Sequence, residues 1–542
     1  MSTTRKIPQP DDKQYNLFTG VPVNAEAVRK KTAVDSGRCF VTGDALSIFI
    51  GTTRLKDHLE RCGGEEVFTV ARLLDEQDWR PFEQRYAVTG RAPYAPRLML
   101  GLILYGVMQG VNSLRGLERL ARLDLGCMWV TGGIAPDHAN IGRFIVLHEE
   151  SLSEDFFVSL TQSVLKACGS KSQRLAGDGT VIEAACSHYN LLKKEAVRAR
   201  ALAASEEVAR TPDDEAAKQK QRDTQQCQEI FEEREANRRR RGKKDSALCI
   251  SGKEPEAMVQ KLKRGRGFGP SYKPSVLANE DRIITAFAVD ASSETGVVGS
   301  LLDQSEQVTG SMAEELLVDS GYFHDEVIAA TLEREVSLLC PESPDMEKEN
   351  VPEKGLFHKR EFHYDEFTDT YQCPAGQKLF LLHRCAQTEK TRGYDLYATP
   401  GCQGCLLRDK CTQGGQGRRI KRYPEDEQRT ALRFVMAQPA AKSIFRQRQA
   451  MVEPVFSALR CQQQFNRFRR KGLQAVKREF ALHALAYNLS RAVALLRLLF
   501  GLLYVALRGS EKVRLYFFTL SRQLEGVCRQ LLLPFIFRWR DG

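Results

Sequence analysis

The sequence lacks the features that would tie it to a membrane or to secretion. Its opening residues, MSTTRKIPQPDDKQYN, hold no apolar stretch and no small-residue cleavage site of the kind a secretory signal carries. The most apolar run, ALLRLLFGLLYVAL from Ala494 to Leu507, is 14 residues long and broken by Arg497. A bilayer span needs about 20 residues, so this run is expected to be a buried helix and the chain to be cytoplasmic, with no membrane partner. A disulfide framework is also missing, because 15 cysteines, an odd number, over 542 residues fit reduced thiols or metal ligands better. There is no internal repeat, and 20 Pro with 40 Gly is no low-complexity excess. The composition, 42% hydrophobic and 27% charged, is that of a globular protein. At roughly 150 residues per domain, the length allows about three or four domains.

Charge is unevenly spread. Lys and Arg number 80 against 69 Asp and Glu, a net +11. From Arg418 to Arg478 there are 16 basic and 4 acidic residues, a net +12, so the remainder is close to neutral. Within that segment Phe465 and Phe468 interleave with Arg467, Arg469, Arg470 and Lys471. The pattern suits phosphate contacts with base stacking, although phenylalanines three apart also fit a core. A second charged stretch, Leu191 to Ile250, has 15 basic and 12 acidic residues and contains RRRRGKK at 238–244. It is expected to be a helical or partly disordered insertion, its basic run meeting either nucleic acid or solvent.

Residues 94–148 have apolar side chains at helical spacing between Gly and Pro breaks, and Asp137 offers an N-cap to a helix carrying Asn140 and Arg143. The segment is expected to be a compact helical domain with a helix-turn-helix-like element, or a helical packing module that does not touch DNA. Strands are expected at RLAGDGTVIEAA (174–185), RIITAFAVD (282–290), LLVD (316–319) and VSLLC (336–340), alternating with helical stretches. That alternation predicts an α/β sheet. Asp178 and Asp319 sit at the ends of two of these runs, where an Asp is often a turn residue. Open α/β sheets place ligands beyond strand ends, so the two carboxylates could instead converge on a divalent cation. In RQRQAMVEPVFSALR a stripe of Val452, Val455, Phe456 and Leu459 has Glu453 at its margin. Arg446, Glu453 and Arg460, seven residues apart, would share one helical face, as an ion-pair ladder or as part of a site.

Taken in order, the helical segment at 94–144, DGTVIEAA, LLVDSGYF and RQRQAMVEPVFSALR followed by REFALHALAYNLSRAV resemble the DDE-type transposases of bacterial insertion sequences. The nearest likeness is to the IS eleven-eighty-two-like group, related to the IS four family. The resemblance implies an α/β multidomain protein with a helical N-terminal domain. Its ribonuclease-H-like mixed-sheet catalytic core would be interrupted by a charged helical insertion and a cysteine-rich insert. It also implies that Asp178, Asp319 and Glu453 are the catalytic acids, holding two Mg²⁺ (or Mn²⁺) ions about 4 Å apart. The partners would be double-stranded DNA, both element ends and target, and a second copy of the chain in a homodimer. The IS four signature around the glutamate falls on Phe445, Arg448, Glu453 and Arg460, with Phe for Tyr, Arg for Lys and one extra residue before Glu453.

The expected segments are 1–165 (N-terminal region with the helical DNA-binding domain), 166–189 and 271–342 (core), 190–270 (charged insertion) and 343–428 (cysteine-rich insert). A basic part of the core carrying Glu453 follows at 429–508, and a C-terminal tail at 509–542. Arg446, Arg448, Arg460, Arg467, Arg469, Arg470 and Lys471 are the expected DNA contacts. Cys373, Cys402, Cys405 and Cys411, spaced C-x28-C-x2-C-x5-C, could hold a structural Zn²⁺, with His383 and Cys385 as spare ligands, or be buried thiols. The alternative function is a catalytically inactive, zinc-assisted DNA-binding protein derived from a transposase.

Overall fold

In the computed structural model the described residues are 14–15, 22–23, 30–33 and 37–508, apart from 65, 153, 241–247, 263–264, 292, 343–355 and 389–392. The expected tail at 509–542 and part of the RRRRGKK run lie outside them. The chain is a mixed α/β protein of two compact units. One is built from residues 1–173, 178–312 and 451–542, the other from 174–177 and 313–450.

The first unit opens with short helices around Pro96–Met108, whose residues from Leu98 to Val107 are all buried. That burial follows from a sequence, PRLMLGLILYGVM, that offers no polar face to water. The cap expected at Asp137 is present, and a second one is found at Ser113. Ser113 accepts the Gly116 N–H at 3.1 Å to start Leu114–Leu123, and Asp137 accepts the Asn140 N–H at 2.7 Å to start His138–Leu147. Leu125–Thr131 ends at Gly132, which has φ 65°, and a Cβ on Gly43 would lie 2.1 Å from the Gly132 carbonyl oxygen. Two backbones thus meet where neither residue could carry a side chain.

The sheet of this unit is organised by the twelve-residue strand Phe268–Asn279, antiparallel to Met258–Lys261, Ile182–Glu183 and Ile284–Asp290. Sequence reasoning missed this strand because Pro270 and Pro274 interrupt it. Both prolines serve the fold through their carbonyls, which accept the Ala184 and Thr180 N–H groups at 2.9 Å each. The expected charged insertion is a helical hairpin, Lys194–Arg210 and Glu215–Arg240, with a small core of Leu192, Val197, Cys227, Phe231, Leu248 and Ile250.

The 36-residue helix Leu473–Arg508 packs against Pro96–Met108, Glu154–Cys168 and Ile284–Asp290. Its Asn488, fully buried, accepts the Ile284 N–H and donates to the Ile284 carbonyl, both at 2.9 Å, and donates to the Thr161 hydroxyl at 3.2 Å. One side chain thereby satisfies both backbone groups of a buried residue that would otherwise cost about 1–3 kcal/mol each. Among the described residues no helix is long and apolar enough to cross a membrane.

Two histidines are buried neutral in this unit. His483 bonds Gln463 Oε1 at 2.7 Å and stacks on Phe465, and His148 bonds the Tyr86 hydroxyl at 2.9 Å. Burial holds His483 down to about 3 and His148 down to about 4, against the ordinary 6.5. The unfolded chain therefore takes up protons that the folded chain refuses. Stability is complete above about pH 7 and falls below about pH 6.5, by up to about 1.4 kcal/mol per pH unit for each histidine. Buried Glu254 and Glu479, whose carboxyls desolvation raises, act in the opposite sense as pH rises through their own range. The histidine contribution is isolated by comparing urea unfolding of the unaltered chain and His483→Gln from pH 7.5 to 5. The variant should lose about half of the histidine slope, and identical slopes would remove His483 as its source.

The second unit contains three parallel strands. Glu315–Leu317 pairs with Ser337–Leu339 on one side and with Arg174–Ala176 on the other, Leu316 opposite both Leu338 and Leu175. The helix Asp325–Leu332 forms the crossover. Helices Asp426–Ala437 and Pro439–Phe445 close over the strands, placing Ala441, Met436, Ile444 and Phe445 on Leu317 and Leu339. Arg433 clamps Glu342 with two 2.8 Å bonds, and Arg429 bonds Asp325 at 2.6 Å. The cysteine-bearing segment is a five-stranded antiparallel sheet, from His363–Asp365 in chain order to Arg419–Arg422. Phe362, Tyr371, Leu379, Tyr397, Cys411 and Ile420 form its core.

Candidate functional site

Asp178 lies on the strand Arg174–Gly179 and is half-buried. The residue after it packs against the Glu294 side chain, which a Cβ on Gly179 would meet at 2.6 Å and which would have to swing aside. Glu294 in turn faces the Lys273 ammonium at 3.4 Å. No motif in the sequence marks either residue, and only the fold brings this ion pair beside the Asp178 strand end. A few residues on, the Arg460 guanidinium donates to the Thr180 hydroxyl and to the Val181 carbonyl at 3.3 Å.

Asp319 follows the strand Glu315–Leu317 and caps the 3-10 turn Ser320–Tyr322, accepting the Gly321 N–H at 2.9 Å. Its side chain is 47% exposed and stands 3.8 Å from the Arg448 guanidinium, which also donates to the Gly177 carbonyl at 3.2 and 3.3 Å. Arg448 therefore holds the backbone immediately before Asp178 and balances the charge of Asp319. The Cys340 thiol donates to the Asp319 carbonyl at 3.1 Å, and burial, reinforced by the Asp319 charge, pushes that thiol up to about 12.

Glu453 is exposed on the helix Gln447–Cys461, whose buried residues Met451, Val452, Val455, Phe456 and Leu459 contain the whole expected stripe. Arg446 departs from expectation. It closes the preceding helix, its N–H bonded to the Lys442 carbonyl at 3.2 Å, and so shares no helical face with Glu453.

The expected DNA-facing loop is also altered by the structure. Phe465 and Phe468 are core residues, 2% and 1% exposed, packed edge to face at 5.0 Å, and are closed to base stacking. Arg467 donates to the Ala184 and Cys186 carbonyls at 2.9 and 2.7 Å. The Glu479 carboxylate accepts the Arg469 and Arg470 backbone N–H groups, and the Arg470 guanidinium lies 3.9 Å from Glu149. The side chains of Arg469 and Lys471 are exposed. Much of the +12 counted in this stretch is thus committed to carbonyls and carboxylates inside the fold.

The four cysteines converge. Cys373, Cys402, Cys405 and Cys411 line one cavity of about 20 Å³, together with Phe357, Phe362 and Leu379, room for a single water-sized occupant. Cys373 opens a turn in which the Gly376 N–H bonds its carbonyl at 2.8 Å, and Cys402 ends the 3-10 turn Pro400–Cys402. Burial raises the Cys411 thiol, and the charges of Cys402, Cys373 and Cys405 push it the same way against Arg418. His383 and Cys385 lie on the strand Lys378–Cys385 and do not line the cavity. Among the described residues, no three His, Cys, Asp or Glu side chains stand ready-arranged around a metal position.

Two comparisons with known families bear on these residues. A family model described as a transposase DDE domain matches residues 372–493, which hold the four cysteines, Glu453 and the basic loop. A second, described as a transposase domain (DUF772), matches residues 56–146, the helical N-terminal part. Asp178 and Asp319 lie outside both. No curated protein and no solved structure matches the chain. Transposase domains matched in two separate stretches of one sequence support a DDE-type transposase of an insertion sequence.

Proposed function

We propose that the protein cuts DNA at the ends of its insertion sequence and joins the freed strand to target DNA, with Asp178, Asp319 and Glu453 as the catalytic acids on a ribonuclease-H-like core. The observation that carries this reading is one of register. Ala176 and Leu317 are partners on parallel strands, and each is followed two residues later by an aspartate, Asp178 and Asp319. Carboxylates at equivalent strand ends are the hard oxygen donors that Mg²⁺ or Mn²⁺ takes. When bound, a pair of such ions activates the attacking oxygen and stabilises the leaving one.

The residues of the chain then act as holders. Arg448 fixes the backbone before Asp178 and offsets the Asp319 charge, Arg460 fixes the backbone after Asp178, and Glu453 presents its carboxylate from a rigid helix. In the first step a water oxygen bonds to phosphorus, loses a proton, and the 3′-oxygen of the element strand leaves as a hydroxyl. In the second that hydroxyl bonds to a target phosphorus and a target 3′-oxygen leaves. Joining requires two ends together, so the DNA complex is a homodimer. Cys373, Cys402, Cys405 and Cys411 would hold one structural zinc, since four thiols around a cavity sized for one ion are a soft donor set.

The test is incubation of the protein and Mg²⁺ with labelled DNA carrying the gene's own flanking ends and a target plasmid. Cut 3′-hydroxyl ends and joined product are expected. A covalent protein–DNA adduct would replace this chemistry with that of a serine or tyrosine recombinase. Binding without cutting would favour the DNA-binding alternative.

A further inference from the structure

The five-stranded sheet has one face on its core and one open. Tyr371, Leu379, Leu381, Tyr397 and Ile420 point to the core, and register places Lys378, Phe380, Ala398 and Arg419 on the other side. Beyond the irregularity between Leu381 and His383, that side continues through His383 and Lys421, both exposed, with Leu396 buried between them. Phe380 is 57% exposed in a strand with neighbours on both sides, and Leu382 next to it is 55% exposed. Lys378, Arg419 and Lys421 are exposed around them, the Lys421 ammonium lying 4.3 Å above the Tyr394 ring. The strands Lys378–Cys385, Tyr394–Ala398 and Arg419–Arg422 put no carboxylate at these open positions. Asp365, on the edge strand, shares the face but is held by the Thr368 hydroxyl at 2.7 Å and the Phe367 N–H at 3.1 Å.

We infer that this face binds single-stranded DNA, with a base stacked on Phe380 and phosphates on Lys378, Arg419 and Lys421. With three exposed cations against the single carboxylate of Asp365 at its edge, the face is net cationic and complementary to a polyanion, which selects nucleic acid over a protein or a lipid tail. The exposed ring selects the form of nucleic acid, because only an unpaired base offers it a free π-face, and a flat sheet face does not enter a groove as a helix does. The inference rests on the DNA-cutting reading above, in which strands are freed and rejoined, and it assigns the handling of the freed strand to the sheet.

The experiment measures anisotropy of a labelled single-stranded oligonucleotide, and of its duplex, with the full chain and three variants. Phe380→Ala is expected to weaken single-strand binding about tenfold, the loss of one stacked base, and to leave duplex binding unchanged. Phe380→Trp keeps a ring and should keep the affinity. The triple variant Lys378→Gln, Arg419→Gln, Lys421→Gln should reduce the salt slope of single-strand binding by about 2. Unchanged single-strand binding in Phe380→Ala, or equal losses for single strand and duplex, overturns the proposal. Because cleavage is scored separately on element-end DNA, a sheet variant that still cuts but no longer holds single strands cannot be confused with a failure of the catalytic reading.

Discussion

Glu453→Gln is expected to bind DNA carrying the element ends and to cut none of it. The substitution keeps the size of the side chain and removes only its charge. Glu453 is exposed on a helix anchored by Met451, Val452, Val455, Phe456 and Leu459, and none of those anchoring contacts is touched. On the proposed reading a metal-ligating oxygen is lost, and metal assistance contributes several kcal/mol to phosphoryl transfer, or about three orders of magnitude in rate. Asp178→Asn and Asp319→Asn should behave alike, with the added test that Asp319→Asn removes the charge 3.8 Å from the Arg448 guanidinium. Cleavage is scored on a denaturing gel and binding by gel shift. Near-normal cutting by any one of the three removes that residue from the catalytic set.

The second large effect concerns the cysteines. If they hold zinc, the purified chain carries about one zinc, and Cys405→Ser carries none. Structural zinc sites in small domains are worth about 10–16 kcal/mol of apparent binding free energy at neutral pH. Its removal should therefore expose the five-stranded sheet to proteolysis between residues 356 and 422 while the helical first unit stays resistant. Serine is nearly isosteric with cysteine, so packing around the cavity is otherwise preserved. Zinc near zero in unaltered protein, with all four thiols reacting freely with a thiol reagent, would retire the site and leave four buried thiols.

Several parts of this structure are legible in the sequence for physical reasons. Asp137 is readable as a cap because an aspartate before a helical apolar pattern has few other uses. The stripe on the Glu453 helix is readable because its period is that of a helix with one wet face. The cysteines are readable because C-x2-C spacing is the geometry of a turn. Legibility fails where one residue serves two masters. Phe268–Asn279 contains two prolines whose carbonyls are what the sheet uses, and a proline reads from sequence as a strand breaker. Lys378–Cys385, KLFLLHRC, lacks alternation because Leu379 and Leu381 point inward while Phe380 and Leu382 point outward, so nothing in its period distinguishes a strand. Charge counting is limited for a third reason. Arg429, Arg433, Arg448, Arg460 and Arg467 each donate to a specific oxygen inside the fold, and no sequence count separates such arginines from those that face DNA.

Asn488 ties together three places in the chain, near residues 161, 284 and 488. A ribosome delivers them over a span of synthesis in which the first two must wait for the third. Until Leu473–Arg508 has emerged, Ile284 has an unpaired N–H and carbonyl, and Pro96–Met108 and Glu154–Cys168 lack the helix that covers them. A chain cut short before that point would therefore carry those backbone groups and those helix faces without the element that buries them.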